Sequence, residues 1–570
     1  MGVKPLHEKK EFENIRSMVE EIGSMYGSKI AYRYRIKHND KEAICVSYES
    51  LRDKVRGLGS EIIARGIDGK KIILIGKHTF EWILTYYATL ATGSVLVPLD
   101  RDWSAEDLLE TVRVAEGDYI FCDADIREKG EFIAENLGLA KPVILNGEGE
   151  ETLSAWVSLG EEKFKEDSAP YYGKDIDVNA LALLVFTSGT TGQGKGVMLS
   201  QKNFMSDLAD VIQFIDFSVK CMNVLPPHHT YGSSVSIFGQ NSIGCDVYIS
   251  SGVKYIVKEL QEHKPGHLVA VPLYVETFYR KILAGIESKG KFASGFIKTL
   301  MKINRNAHKI GLKPFDGFFR KKILATFGGE LNMIISGGAP LNQEMADLFD
   351  SIGVTVLNGY GITECAPIIA VNHNKYITPK SVGPVLPIDT VIIDDPNEDG
   401  EGEILVKGPN VMLGYFKNDE ANAEVFTEDG FFRTGDYGKI KIDKDGNKIL
   451  FITGRLKNLI ILSNGKNVYP EEIEDALSAT PGIVDIVVYE GKSRRGLEHN
   501  AIVAEIYPDK TYFEGNGITD VNAYFQKYVD EYNKSCVAYK KIGILKVREE
   551  EFPKNTLRKI LRRKIDMTID

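Results

Sequence analysis

The chain has 570 residues and a mass of 63.5 kDa, with 43% apolar and 26% charged residues, which excludes disorder and collagen-like repeats and suits three or four domains or subdomains. Its 70 Lys and Arg against 80 Asp and Glu leave a net charge of −10, an argument against a general nucleic-acid binder, because a phosphate backbone calls for a basic face. Cys45, Cys122, Cys221, Cys245, Cys365 and Cys536 are scattered, with no C-x-x-C and no His-flanked cluster, which argues against a disulfide scaffold or a zinc site and fits a reducing compartment.

The first residues, MGVKPLHEKKEFENI, have no apolar core, so no secretory signal is expected. Residues 14–36 predict a helix and then a strand, and residues 48–65 a helix with Leu51, Val55, Leu58 and Ile62 on one face. The longest apolar stretch, 72–99, is broken by Lys77, His78 and Glu81 and reads as strand, helix and strand rather than a membrane span, its second strand at 94–97 closed by Pro98 and Asp100. This spacing predicts a right-handed parallel crossover. Short aliphatic strands recur at 181–186, 268–271, 333–335 and 354–357, and ligands of such sheets gather at the carboxyl ends of the strands. After about Pro387, Asp-Gly and Asn-rich turns predict antiparallel hairpins over 392–404 and 435–452. From Asn458 a small α/β pattern begins, with a helix opened by Pro470, strands at 483–489 and 501–506, and a helix around 521–533.

The most informative stretch is LLVFTSGTTGQGKGVMLS, residues 183–200. After a buried strand come Gly189, Gly192, Gly194 and Gly196, the hydroxyls of Thr187, Ser188, Thr190 and Thr191, and Lys195. Glycines allow close backbone approach, and successive N–H groups, hydroxyls and a lysine can wrap an anionic phosphate. The spacing fits G-x-x-x-x-G-K, but Gly196 stands where a Walker loop needs Ser or Thr for Mg2+, and a strand rather than a helix follows. The reading is a phosphate-cradling hairpin loop.

This loop resembles the signature of the adenylate-forming superfamily. So, in order, do LPPHHTYG (225–232), SGGAP (336–340), NGYGITE (358–364), FFRTGD (431–436), GRLKNLIILSNGKNVYPEEIE (454–474) and PKNTLRKILRR (553–563). Within the superfamily, FEWILTYYATLATGSVLVPLD and the HHTYG segment look most like AMP-forming long-chain fatty acyl-CoA synthetases. The resemblance implies an α/β fold: a large N-terminal adenylation domain, 1–455, of parallel-rich sheets with helices and a β-rich subdomain, and a small mobile α+β lid, 456–570, hinged near Lys457. It implies ATP, Mg2+ and coenzyme A, and two half-reactions: a carboxylate attacks the α-phosphate to give acyl-AMP and pyrophosphate, then a thiol takes the acyl group.

The resemblance also assigns residues. Thr187, Ser188, Gly189, Thr190, Thr191 and Lys195 would hold the β- and γ-phosphates. The strand at 354–357 would end in a nucleotide-binding turn of Asn358, Gly359 and Gly361, with Tyr360 stacked on adenine, Thr363 at the α-phosphate and Glu364 as the Mg2+ ligand, a hard oxygen for a hard cation. Gly338, Ala339 and Pro340 would lie along adenine and the acyl pocket. Asp436 would accept from the ribose hydroxyls, with Arg455 beside the same sugar. An adjacent histidine pair cannot both point inward from a regular strand; of the two, the resemblance puts His229 beside the acyl carboxylate, and Tyr231 can line the same pocket. Lys559 would stabilise charge growing in the transition state, with Lys554 as the fallback. Arg558 stands where the family has glycine, and Asn555 and Leu557 where it has Thr or Ser; Leu557, Ile560, Leu561 and Ile565 also fit one face of a basic helix. Gly465 falls in the loop that would present the lid to the thiol.

Residues 285–322 are rich in Lys and Arg interleaved with Phe, a basic amphipathic stretch that can lie on anionic lipid from the cytoplasmic side, although a solvated helix pair has the same pattern. The expected activity is activation of a medium- or long-chain fatty acid and transfer to coenzyme A. Two alternatives stay open: a fatty acyl-AMP ligase loading an acyl carrier protein in trans, and a nucleotide- or acyl-binding paralogue without activity, for which Arg558 is the one argument. An amino-acid-selecting enzyme would carry an acid after the histidine segment, and none lies between Tyr231 and Asn241.

Overall fold

The computed structural model describes residues 4–187, 194–374, 377–462, 467–492, 501–554 and 560–569. Ser188, Gly189, Thr190, Thr191, Gly465, Arg558 and Lys559 lie outside the described residues.

Two large sheets share a layer of helices. The first runs, in spatial order, Ile368–Val371, Thr355–Gly361, Met333–Ser336, His267–Ala270, Lys220–Asn223, Asp246–Ile249, Ile30–Tyr34, Ile44–Ser47, and its six inner strands are parallel. The second runs Gly414–Tyr415, Lys195–Ser200, Leu181–Thr187, Val95–Leu99, Lys71–Ile75, Tyr119–Cys122, Val143–Ile144, with the last five parallel. Parallel sheets need both faces covered. One continuous apolar cluster draws on both sheets and on the helices Ile15–Tyr26, Tyr48–Ala64, Phe80–Ala91 and Gln201–Val211. Phe80–Ala91 is apolar on every side and buried apart from Glu81, as a helix between two sheets must be. Thr79 caps it, its side chain accepting from Trp82 N–H.

The texture change after Pro387 is a third, antiparallel sheet of Gly383–Pro384, Lys448–Arg455, Phe432–Ile442, Gly402–Lys407 and Thr390–Asp394. Beyond it, residues from Ile460 onward pack into two apolar clusters of their own around the sheet Ile483–Glu490, Ile502–Pro508 and Ile544–Val547. The six hydrophobic clusters of the described residues divide cleanly, none mixing side chains from before Arg455 with side chains from after it.

Two elements run further than expected. Val95–Leu99 continues through Pro98; its register with Leu181–Thr187 is confined to Leu96↔Leu183, so the proline falls beyond the shared ladder on that side. Thr355–Gly361 also carries on through Asn358, Gly359, Tyr360 and Gly361, where a turn was expected. Ile368–Val371 folds back against it as an antiparallel partner and extends the ladder. The approach is so close that a Cβ on Gly361 would sit 1.9 Å from Pro367 O, which only glycine avoids. Among the described residues 560–565 there is no α-helix: Ile560 bridges to Lys554 and Arg562–Lys564 is a single 3-10 turn.

Candidate functional site

The inner strands of the first sheet all point the same way, so their carboxyl ends deliver loops to one edge. Pro226 to Thr230 follow Lys220–Asn223, Val271 follows His267–Ala270, Gly338, Ala339 and Pro340 follow Met333–Ser336, and Thr363 and Glu364 follow Thr355–Gly361. Asp100, at the carboxyl end of Val95–Leu99 in the second sheet, reaches the same place: its Oδ2 lies 3.6 Å from His228 Nε2. The two sheets therefore meet at their carboxyl edges, where open α/β sheets bind ligands.

Strands Leu181–Thr187 and Lys195–Ser200 pair antiparallel with Thr187 opposite Lys195. Thr187 Oγ1 donates to Lys195 O at 3.4 Å. The Lys195 ammonium lies 4.7 Å from the ring centroid of Tyr415. The Tyr415 hydroxyl in turn donates to Glu364 Oε1 at 2.9 Å. Met412 N–H donates to Glu364 O at 2.8 Å, fixing the backbone of the same residue. Burial and the Glu364 carboxylate raise the Tyr415 phenol above its ordinary range, so it stays a donor. Glu364 itself is half-buried, and its Oε2 has no hydrogen-bond donor among the described residues; a carboxylate oxygen of this kind could take a hard cation. Sequence reading missed Tyr415; the signal was a Gly-Tyr pair before the Asn418 helix cap, in a strand only two residues long.

A second carboxylate, Asp436, lies in the same neighbourhood, since the charges of both acids act on Arg455. Tyr360 and Asp436 meet directly, the Tyr360 hydroxyl donating to Asp436 Oδ2 at 2.7 Å. Arg455 stands opposite Asp436 across the hairpin, its Nε 2.9 Å from Oδ1. Asp436 raises the affinity of the Arg455 guanidinium for its proton, and the fields of Tyr360 and Glu364 act in the same direction. Thr434 Oγ1 accepts from Asp436 N–H at 3.0 Å, so the backbone as well as the side chain is held. The structure thus brings together three residues expected around one nucleoside. Tyr360 has a further duty that was not foreseen, holding the carboxylate through its hydroxyl.

Gly338, Ala339 and Pro340 are exposed along the cleft edge, with Gly338 at φ +82°, a left-handed turn that glycine tolerates. Behind them Tyr231 braces two strand ends, its hydroxyl donating to Ile335 O at 3.1 Å, and Gly337 leaves room for its ring. Tyr231 opens Tyr231–Gly239, nine residues wound as a π-helix, a form that recurs at functional sites. His228 and His229 correct an expectation: they lie in a turn, not a strand, so both side chains are at least half-buried, with ring centroids 4.3 Å apart. Burial lowers the His228 pKa and keeps that ring neutral, although Asp100 pulls the other way.

Lys457 lies in a 3-10 turn directly after Arg455; burial and the neighbouring guanidinium lower its pKa. Lys554 does not face this cleft as a free cation. Its ammonium is held by Asp485 and Glu551, each at 2.7 Å. The fold also gathers Cys221, Cys245 and His267, unrelated in sequence spacing, with donor atoms within 4.8 Å of one another. Ser218 N–H donates to His267 Nδ1 at 3.2 Å, so Nε2 carries the proton toward Gln240 Oε1 at 2.8 Å and neither nitrogen offers a lone pair to a metal.

One carboxylate held by a tyrosine and a second held by a tyrosine and an arginine, at the meeting edge of two parallel-rich sheets, suit a nucleotide-binding α/β enzyme. The model of the AMP-binding enzyme family matches residues 19–416, and the chain belongs to that family. It is similar to the long-chain-fatty-acid–CoA ligase FadD15 of Mycobacterium bovis, 28% identical over 499 residues, 84% of this chain and 80% of that protein. It is also similar to the long-chain-fatty-acid–[acyl-carrier-protein] ligase AEE15, chloroplastic, of Arabidopsis thaliana, 25% identical over 557 residues, 85% of this chain and 76% of that one. Among solved structures, ATP-bound MatB from Rhodopseudomonas palustris superposes with a TM-score of 0.74 at 25% identity, covering 96% of this chain and 97% of that chain.

Proposed function

We propose that the protein activates a fatty acid of medium or long chain with ATP, releasing pyrophosphate and forming acyl-AMP, and then transfers the acyl group to coenzyme A. The observation that carries this reading is the pair of organised carboxylates in one cleft: Glu364 positioned by Tyr415 beside Lys195, and Asp436 positioned by Tyr360 and Arg455. The long-chain fatty acid ligases among its relatives support the substrate class.

Each carboxylate fits one end of a nucleoside triphosphate. Asp436, already accepting from two donors, can exchange one of them for a ribose hydroxyl. Tyr360 presents its ring to the base, and Gly338 to Pro340 form the opposing edge. Glu364 would hold Mg2+, which neutralises phosphate charge when bound. Lys195 and Thr187 end the two paired strands, and we assign them, with Ser188, Gly189, Thr190 and Thr191, to the β- and γ-phosphates. Thr363, next to Glu364, is assigned to the α-phosphate, and His229 to the acyl carboxylate. A carboxylate nucleophile needs no base at neutral pH, so the enzyme's task is alignment and charge neutralisation. We assign Lys559 the second part of that task and Lys457 the hinge between an adenylation domain ending at Arg455 and a lid that begins after it. Gly465 is assigned to thiol delivery.

The likeness to AEE15 supports a second acceptor, an acyl carrier protein. Purified enzyme with ATP, Mg2+, palmitate and either coenzyme A or a holo acyl carrier protein separates the two. The expected product is palmitoyl-CoA with stoichiometric AMP. Thioester on the carrier alone would move the assignment to a carrier ligase, and AMP formation with neither thiol nor any acid would remove the fatty acid reading.

A further inference from the structure

Residues 285–322 carry ten Lys and Arg and only Glu287 and Asp316 as acids, in a chain of net charge −10. They form the helices Lys291–His308 and Asp316–Lys322. The inner side is anchored to the body: Met301 and Phe319 share an apolar cluster with Phe278, Met345 and Phe349, and Asn304 Nδ2 donates to Asp316 Oδ1 at 2.8 Å and to Ser351 O at 3.1 Å.

The outer side is apolar where a solvated helix should be polar. Phe292 is 94% exposed, Phe296 60% and Ile303 48%. At 3.6 residues per turn these three fall within about 40° of one another, a single ridge along the helix. Lys291, Lys298 and Lys302 fall together on one flank of that ridge, roughly 80–120° away. Ile310 and Leu312 beyond the helix, and Phe318 on the next one, extend the exposed apolar surface. Lys298 reaches Glu287 at 3.5 Å; Lys291, Lys302, Lys309, Lys313, Lys321 and Lys322 have no carboxylate partner among the described residues.

We propose that this helix pair docks the enzyme on an anionic phospholipid surface, with the Phe292–Phe296–Ile303 ridge in the headgroup boundary and the flanking lysines on the phosphates. An apolar ridge with basic residues beside it is what an in-plane interfacial helix requires, and long lysine stems let the ammonium groups reach the headgroups. The ridge favours a bilayer over an acidic protein partner. Lysines alone would recognise the protein, whereas a phenyl ring standing clear of the surface needs a shaped pocket there and none in a fluid acyl boundary. The placement also suits the cleft. The helix Pro272–Glu287, on which the pair packs, starts directly after Val271, whose Cγ1 lies 3.7 Å from the place a Cβ on Gly338 would take, and further along it Arg280 donates to Ile483 O of the C-terminal unit. The inference stands on the surface itself and does not depend on the identity of the acid.

The test is co-sedimentation of the full chain with vesicles of phosphatidylcholine alone or with about a third phosphatidylglycerol. Wild type should sediment with the anionic vesicles, at least tenfold more strongly than with neutral ones, and be released by salt. Phe292→Glu with Phe296→Glu, and separately Lys291→Glu with Lys302→Glu, should each weaken binding at least tenfold; withdrawing one lysine from such a surface costs about fivefold. Melting temperatures, which need no activity, identify folded variants, and Phe292→Ser with Phe296→Ser replaces the first pair if it fails to fold. Wild type remaining in the supernatant with anionic vesicles overturns the proposal, as do folded variants that bind like wild type. Capture of an acidic carrier protein, lost with the lysine pair but kept with the phenylalanine pair, would replace the bilayer by a protein partner.

Discussion

Tyr415→Phe removes one oxygen atom and leaves the ring in place. That oxygen donates to Glu364 Oε1 at 2.9 Å, while the ring still faces the Lys195 ammonium at 4.7 Å from its centroid. A hydrogen bond to a charged acceptor contributes about 1.5–3 kcal/mol. Glu364 is half-buried, so solvent screens the bond and the lower end applies: about 1.5 kcal/mol, or roughly tenfold in rate. The assay is ATP–pyrophosphate exchange as a function of Mg2+ at saturating acid. Tyr415→Phe should lose about tenfold in kcat/KM for MgATP and need more Mg2+, with little change in melting temperature. In a double-mutant cycle with Glu364→Gln the two changes should couple by about 1.5 kcal/mol, because both act on one contact. Exchange equal to wild type, or strictly additive losses, would refute the idea that the phenol positions Glu364.

Four further outcomes are expected. Asp436→Ala should depress exchange by two orders of magnitude or more, since it removes the acceptor shared by Tyr360 and Arg455; a loss below fivefold sinks its role at the nucleoside. Gly361→Ala should lower both the melting temperature and exchange, because its Cβ would meet Pro367 O at 1.9 Å; a variant as stable as wild type contradicts the close-approach argument. Burial, with Asp210 nearby, pushes the Asp389 carboxyl up to about 8, against the hydrogen bond from Asn410. Here the folded state holds the proton longer than the unfolded chain, so stability falls as pH rises from roughly 4 to about 8, by at most about 1.4 kcal/mol per unit from this group. Asp389→Asn should flatten that slope in urea titrations, and an unchanged slope shows the group does not titrate this way. Lys559→Ala should slow exchange at least a hundredfold yet still form thioester from supplied acyl-AMP; equal exchange in variant and wild type removes the lysine from the chemistry.

What was legible in the sequence was whatever local periodicity or a compact motif could carry. The parallel strands are short aliphatic runs closed by polar residues, and the antiparallel pair Leu181–Thr187 and Lys195–Ser200 flanks the contiguous stretch of glycines and hydroxyls. The strand–helix alternation gave away the carboxyl-edge position of Gly338 and Glu364 as well. What was not legible depends on pairing across distance. Tyr415 matters only because a two-residue strand pairs with Lys195–Ser200 and carries its hydroxyl to Glu364. Gly359 and Gly361 look like a turn by composition, yet a returning strand extends the ladder through them. His228 and His229 appeared unable to point inward together because a strand was assumed, whereas a turn leading into a π-helix lets them. The Cys221–Cys245–His267 cluster joins adjacent strands from separate parts of the chain, a proximity no spacing rule reports.

The most direct measurement is ATP–pyrophosphate exchange with Mg2+ across saturated acids from acetate to palmitate, with benzoate and several amino acids alongside. Exchange that depends on the acid, rises with chain length and vanishes in Asp436→Ala is the expected result. Measurable ATP binding with no exchange for any acid would contradict it and leave a nucleotide-binding protein without adenylating chemistry.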